Sequence, residues 1–314
     1  MKKNFLRITA GAMSSAMLIG LCAAGVPAKV VAATEHWNDA SASATQWNQW
    51  KNNWNTYSSN YEHVSLTPGA DQTQLNLAWY SHTTETPAVR IATKQNMDGA
   101  KEFAGTQTDA VTIDGVKYFS NKAIVKDLKE NTKYYYQVFQ NGKWQDAESY
   151  TTKSFNSFSF LYVGDPQIGA SKNQTSTEQE KMVSAGNEVS SSAADNLAAR
   201  NDGYNWNNIL NDAIKDHGDV SFIVSAGDQV NAGKNEREYA AYLGADALAS
   251  LPVATTIGNH DSVSNQYTLH FNNPNAFSDT DANYIQGKTE AGTDYYYRYG
   301  NTLFMVLDTN NYNC

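Results

Sequence analysis

Val163-Gly164-Asp165-Pro166-Gln167, Ala226-Gly227-Asp228-Gln229-Val230-Asn231 and Ile257-Gly258-Asn259-His260-Asp261 decide how this chain is read. Each peptide follows an apolar, β-rich run, over 158–163, 220–225 and 253–257. Short apolar runs bounded by polar turn residues predict buried strands. The strands then deliver Asp, Asp and Asn-His-Asp to their carboxyl ends, the edge where an open parallel sheet binds ligands. A Gly before each polar residue permits a sharp exit from the strand and close backbone approach. Hard oxygen donors converging there suit divalent metal ions, and the adjacent His adds proton chemistry. A single Gly-Asp pair is more often a turn or a helix cap; three in order outweigh that alternative.

The set resembles the calcineurin-like metallophosphoesterases, in their purple acid phosphatase branch. That superfamily runs Gly-Asp-x-His (or Gly), Gly-Asp-x-x and Gly-Asn-His-Asp/Glu, then a lone His and a Gly-His-x-His. The resemblance spans roughly 61–313 and implies a phosphoesterase domain over 157–314. It implies Asp165 as a terminal ligand, Asp228 as a bridging ligand and Asn259 as a carbonyl ligand of two divalent metal ions (Fe, Zn or Mn). His260 then faces the substrate, with Asp261 orienting its ring. The implied reaction is phosphomonoester hydrolysis by a metal-bridging hydroxide, as in acid phosphatases, on a small phosphate-ester substrate. A phosphodiesterase or nucleotidase of the same superfamily is the alternative within the enzyme class.

Three departures from the family pattern stand out. Gln167 occupies the position of the family's Gly or His and is a weak candidate ligand. Asn231 replaces the iron-binding Tyr three positions after the second Asp, so no tyrosinate colour is expected. No later single His or Gly-His-x-His follows His260. The expectation is therefore of an incomplete α/β domain, truncated at its C-terminus, that alone holds metal weakly and hydrolyses esters poorly.

Outward from the motifs, Asn259 follows Asp228 by 31 positions, a comfortable βαβ unit. Asp228 follows Asp165 by 63 positions, the excess falling in 170–204; 178–198 is expected to be helical and the remainder loop. A polar, aromatic loop is expected over 261–294, then a hairpin of 295–299 and 302–307 across Gly300-Asn301.

Over 61–153 the pattern changes to short alternating segments, such as Leu75, Leu77 and Trp79, or Tyr134, Tyr136 and Val138. Pro68-Gly69, Asp114-Gly115 and Asn141-Gly142 supply turns. This predicts an all-β sandwich. Leu128 to Tyr134 looks like a fibronectin type III tyrosine corner, and the module resembles the purple acid phosphatase N-terminal domain. The segment 34–60 carries Trp37, Trp47, Trp50 and Trp54, the last three on one helical face. That face is expected to pack on a neighbouring domain; an aromatic platform for glycan is the alternative. His36, His63, His82, His217 and His270 lie outside the motifs and are expected to be structural.

Lys2, Lys3 and Arg7 precede an apolar stretch over 8–26, and Val31-Ala32-Ala33 offers a cleavage site. This predicts a secretory signal over 1–33, with no stable membrane span after its removal. The signal holds four basic residues and no acidic one; without it 19 Lys and Arg face 32 Asp and Glu, a formal charge of −13. So acidic a chain is not expected to bind nucleic acid. Only Cys22 and Cys314 exist, so no disulfide framework forms. Export and an Asn/Ser/Thr/Tyr-rich composition point to a Gram-positive secreted or surface protein, with cell-wall association as a further expectation. Two competing classes remain: a non-catalytic cell-wall or glycan-binding protein, and a degenerate pseudo-enzyme.

Overall fold

The computed structural model describes residues 45–173, 191–278 and 291–310. The signal, Trp37, most of the expected 178–198 helix and the last four residues lie outside the described residues.

Eight strands build the first domain: β1 Ser65–Pro68, β2 Leu75–Ser81, β3 Ala88–Ala92, β4 Lys101–Ile113, β5 Val116–Val125, β6 Lys133–Gln140, β7 Lys143–Trp144 and β8 Glu148–Thr151. The long β4 serves both layers, pairing with β3 through its first residues and with β5 from Gly105 onward. At that crossing a side chain on Gly105 would lie 2.5 Å from the Lys122 carbonyl oxygen, so only glycine allows the two backbones to meet. Leu75, Leu77 and Trp79 from one layer close on Val89, Tyr136 and Val138 from the other. β6 alternates buried and less buried residues along its length, as a strand with one face on a core must. The tyrosine corner is present: the Lys129 N–H donates to the Tyr134 hydroxyl at 2.8 Å. This is the expected β-sandwich.

The second domain is α/β. Strands β9 Ser159–Val163, β10 Val220–Ser225 and β11 Val253–Ala254 run parallel in the order β11-β10-β9. Ile223 of β10 faces a core built with the helices, while its neighbours Phe222 and Val224 face the opposite side. There the hairpin β12 Tyr295–Tyr299 and β13 Thr302–Val306 packs its aromatic face, with Tyr297 stacked on Phe304 at 4.7 Å.

Helix α1 (Thr45–Ser58) docks on the helices of this second domain, α2 (Ser191–Asp216) and α3 (Glu236–Leu243). Trp47, Trp50 and Trp54 are all buried there. The Trp50 indole N–H donates to the Arg200 carbonyl at 2.8 Å and that of Trp54 to Asn196 Oδ1 at 2.7 Å. Packing has consumed the seam, and these three rings form no platform.

Two local expectations are corrected. The stretch after 198 is not loop: α2 runs on to Asp216, because Ala199, Tyr204, Trp206 and Leu210 supply a buried stripe. Gly203 belongs inside that helix, since a side chain there would press on Ala241 at 3.0 Å and Trp50 at 3.2 Å. The 261–294 stretch is likewise not all loop, for it holds a short turn at Asp261–Val263 and helix α4 (Gln266–His270).

The domains are latched through Asn272. Its side-chain nitrogen donates to the Leu77 and Ala123 carbonyls at 3.2 and 3.0 Å, while its own carbonyl accepts from Asn76 Nδ2 at 2.8 Å. Nearby, the His270 ring lies between Tyr80 and Tyr239 with centroids 4.4 and 4.3 Å away, and its Nε2 meets Glu236 Oε2 at 2.7 Å.

Candidate metal centre

Three loops leave the carboxyl edge of the parallel sheet and fold onto one another. Beyond β9 and β10 the first two motifs stay paired: Asp165 N–H donates to the Gly227 carbonyl at 3.2 Å and Gln167 N–H to that of Asp228 at 2.8 Å. The third motif then closes on the second. His260 N–H donates to Asp228 Oδ1 at 2.9 Å.

The backbone is unusual at these positions. Asp165, Gln167 and Asp228 all take left-handed φ values, of 48°, 39° and 49°. Each such residue that is not glycine costs on the order of 1 kcal/mol and persists only where surroundings impose it, most often at functional sites. Gly227 at φ 114° supplies a conformation closed to side-chain-bearing residues. Gly258 gives room of another kind: a Cβ there would sit 2.0 Å from Asp228 Oδ1 and 2.3 Å from its backbone nitrogen. Glycine here is a cradle for the Asp228 carboxylate.

Asp228 is buried, whereas Asp165 and Asn259 are exposed, so the cluster opens to solvent on one side. Partial burial raises the Asp165 carboxyl above its ordinary range; the Asp228 charge and a hydrogen bond to Asp228 add to this, and His260 opposes it. Neighbouring carboxyl groups raise one another in this way.

The three remaining polar residues form a chain of contacts. His260 Nδ1 lies 2.6 Å from the Asn231 carbonyl oxygen. A carbonyl only accepts, so the proton of the neutral ring sits on Nδ1, and Nε2 is an acceptor. The Gln167 amide nitrogen supplies the donor at 3.0 Å, and also donates to Asn231 Oδ1 at 3.3 Å. Asn231 thus spends both its oxygens as a hydrogen-bond acceptor, and Gln167 keeps its carbonyl oxygen for other partners.

The expectation for Asp261 is corrected. Its carboxylate does not touch the His260 ring; it accepts the backbone N–H groups of Gly258, Gln229 and Val230 at 2.9, 3.2 and 3.3 Å. Asp261 is fully buried, and burial pushes its carboxyl up to about 7, with the three amides pulling it back and Asp228 adding repulsion. It ties the second and third loops together, and the Asn231 carbonyl orients the ring in its place.

The sequence pattern did not single out several supporting residues. Asp202, on α2, accepts from Gly169 and Ser171 N–H at 2.8 and 3.2 Å and anchors the first loop. Glu238, on α3, accepts from Ala232 N–H at 2.7 Å and anchors the second. The available signal was an acidic residue within an otherwise buried helix stripe. Among the described residues no three His, Cys, Asp or Glu side chains converge; the donors gathered here are two carboxylates and side-chain amides.

Two family models match. The Purple acid Phosphatase N-terminal domain matches residues 61–152, and the Calcineurin-like phosphoesterase family matches residues 158–313. Among solved structures, the purple acid phosphatase PPD1 from yellow lupin (Lupinus luteus) seeds is 14% identical, with a TM-score of 0.49, over 78% of this chain and 44% of that one. PhoD is 11% identical, with a TM-score of 0.44, over 81% of this chain and 53% of that one. The chain thus spans about half the length of each. No curated protein matches it by sequence.

Proposed function

The chain belongs to the calcineurin-like phosphoesterases, with a purple acid phosphatase N-terminal domain ahead of the phosphoesterase domain, and from that premise we propose a secreted, metal-dependent hydrolase of small phosphate monoesters. One observation carries the reading: the Asp228 carboxylate, cradled by Gly258 and bound by His260 N–H, sits near enough to Asp165 that its charge adds to the upward shift of the Asp165 carboxyl. Adjacent carboxylates repel unless a proton or cation sits between them, and carboxylate and amide oxygens are the donors a hard divalent ion prefers. The residues therefore fit the metal ions that the family implies.

Asp165, Asp228 and Asn259 would hold two divalent ions, with the Gln167 carbonyl a further donor. Such ions, when bound, polarise a phosphoryl oxygen and offset the charge that develops as the ester bond breaks. The chain supplies the rest. Gln167 and the Asn231 carbonyl fix the His260 ring at both nitrogens. In that tautomer Nε2 carries no proton; it is the atom free to release Gln167, take up a proton from solvent and pass it to the leaving oxygen. Asp261, Asp202 and Glu238 keep the loops from separating.

Export is proposed on the basic and apolar N-terminal stretch. No helix among the described residues is long and apolar enough to cross a membrane. The acidic balance argues against polyanionic partners.

The test is hydrolysis of p-nitrophenyl phosphate against bis-p-nitrophenyl phosphate by the full gene product, before and after chelation. The monoester is expected to be the better substrate, with Asp228→Ala abolishing turnover and His260→Gln lowering kcat by about 10²-fold or more. Preference for the diester would reassign the substrate class. Turnover indifferent to Asp228→Ala would remove the metal chemistry altogether.

A further inference from the structure

A cavity of about 220 Å³ opens where the sandwich meets the end of α2, and none of its lining residues belongs to the three motifs. Lys133, Ser149, Thr151 and Lys153 line it from the sandwich, His217 and Ser250 from the phosphoesterase domain, and no carboxylate is among the lining side chains. The β6–β8 ladder explains the first four. Lys133 stands opposite Thr151 and Tyr135 opposite Ser149, while Tyr134 and Tyr150 point into the core. Alternation therefore turns Lys133, Ser149 and Thr151 outward. The pairing continues one step further, with Asn131 N–H donating to the Lys153 carbonyl at 3.3 Å, so Lys153 shares that outer face. Lys133 and Lys153 thus occupy diagonal positions within reach of each other, where like charges repel.

The protein itself offsets little of this charge. Lys153 Nζ donates to the Gly218 carbonyl at 2.9 Å, beside the end of α2, which uses one of its three N–H groups. Lys133 Nζ lies 5.1 Å from the centre of the Tyr135 ring. Neither lysine makes a carboxylate ion pair among the described residues, and the Ser149 and Thr151 hydroxyls have no protein partner there. Asp216 and Asp219 are on the adjoining turn, exposed, and do not line the cavity. Lys133, Thr151, His217 and Ser250 are exposed as well, so a solute can reach these donors.

We propose that this cavity binds a free tetrahedral dianion of the phosphate and sulfate class, held between the two domains. Two ammonium groups match a charge of two, and lysine serves such oxyanions as a point charge. Hydroxyl and imidazole donors arrive from both domains, more directions than a planar carboxylate with two oxygens can use. Four oxygens in a tetrahedron can meet Lys133, Lys153 and the Thr151 hydroxyl on one side and His217 or Ser250 on the other. The buried Val220 and Leu251 form an apolar floor, which strengthens the charge attraction above it. Serine and threonine hydroxyls donate or accept alike, so the site does not separate phosphate from sulfate. Bound there, the ion fastens the sandwich to the phosphoesterase domain without entering the metal chemistry.

The experiment is calorimetric titration of phosphate, and separately of sulfate, into the full chain carrying Asp165→Ala, which disables the metal centre. Chloride at equal ionic strength is the control. One saturable site is expected for each oxyanion and none for chloride. Adding Lys133→Met should weaken it at least fivefold. Adding Thr151→Glu places a carboxylate between the lysines; it should abolish binding and raise the urea midpoint. Lys133 and Thr151 are both exposed on the sandwich, so these variants fold. Absence of saturable binding, equal binding of chloride, or unchanged affinity in Lys133→Met would each overturn the proposal. So would binding that survives Thr151→Glu, or a lowered urea midpoint in that variant, since the lysines would then not lack an anion.

Discussion

The backbone N–H of His260 donates to Asp228 Oδ1 at 2.9 Å, and the carboxylate it holds lies against the bare α-carbon of Gly258. The third motif is therefore the wall that fixes the rotamer of the second motif's acid. Gly258→Ala would drive a methyl group to 2.0 Å from that oxygen. We expect a stability loss of about 1–3 kcal/mol, the usual range for forced overpacking. Divalent-metal affinity should fall with it, since Asp228 must rotate away. Urea midpoints combined with metal titration check both; a variant as stable and as metal-competent as wild type would refute the cradle.

Asp261 accepts three backbone N–H groups from two loops and is fully buried. Asp261→Asn keeps the shape but turns one acceptor into a donor facing an amide. It should cost about 1–3 kcal/mol, as for a buried group left unsatisfied. Because the Asn231 carbonyl, not Asp261, holds the His260 ring, the imidazole NMR shifts of His260 should move little in a variant that still folds. A large change there would restore Asp261 as the orienting residue.

The His63 imidazole is lowered to about 4, first by burial and then by the charge of His270. Among the described residues its Nε2 is buried without a partner, and Nδ1 meets Asn60 Nδ2 at 3.5 Å. The folded state thus keeps this ring neutral down to about pH 4, while the unfolded ring protonates near its ordinary 6.5. Between those values the unfolded state binds more protons, so stability falls as pH falls through that window, by at most about 3 kcal/mol. The neighbouring Glu236–His270 pair and Tyr80 share the junction. Comparing urea midpoints at neutral and mildly acid pH, His63→Leu should lose less on acidification than wild type. Equal losses would show that His63 is not the acid-sensitive group.

Trp50 is buried against Tyr57 and Tyr204 and donates to the Arg200 carbonyl. Trp50→Ala should cost about 3–5 kcal/mol, as large aromatic deletions in cores do. Retention on peptidoglycan or glycan columns should not change in the surviving folded fraction. Loss of retention with stability intact would revive the glycan platform.

Much of this fold and site was legible because the signals were local. Three apolar runs ending in Gly-Asp or Gly-Asn gave the strands and the edge they share. The 47, 50, 54 spacing of Trp gave a helix seam, and Leu128 to Tyr134 gave the corner of the sandwich. What escaped depends on distant neighbours. Gly203 reads as a helix breaker until Trp50 and Ala241 are seen pressing on it. Asp261 reads as a partner of the His beside it, yet the amides it serves belong to Gln229 and Val230 on the preceding loop. Asp202 and Glu238 carry no motif; their roles exist only once the loops they anchor have folded over them.

The central claim is that oxygens of Asp165, Asp228 and Asn259 form one cation-binding cluster. Calorimetric titration of Mn²⁺ or Zn²⁺ into the chelator-stripped protein, wild type beside Asp228→Asn, tests it most directly. Saturable binding in the wild type, weakened at least tenfold by the substitution, is the predicted result. Equal uptake by both proteins, or none by the wild type, would contradict it.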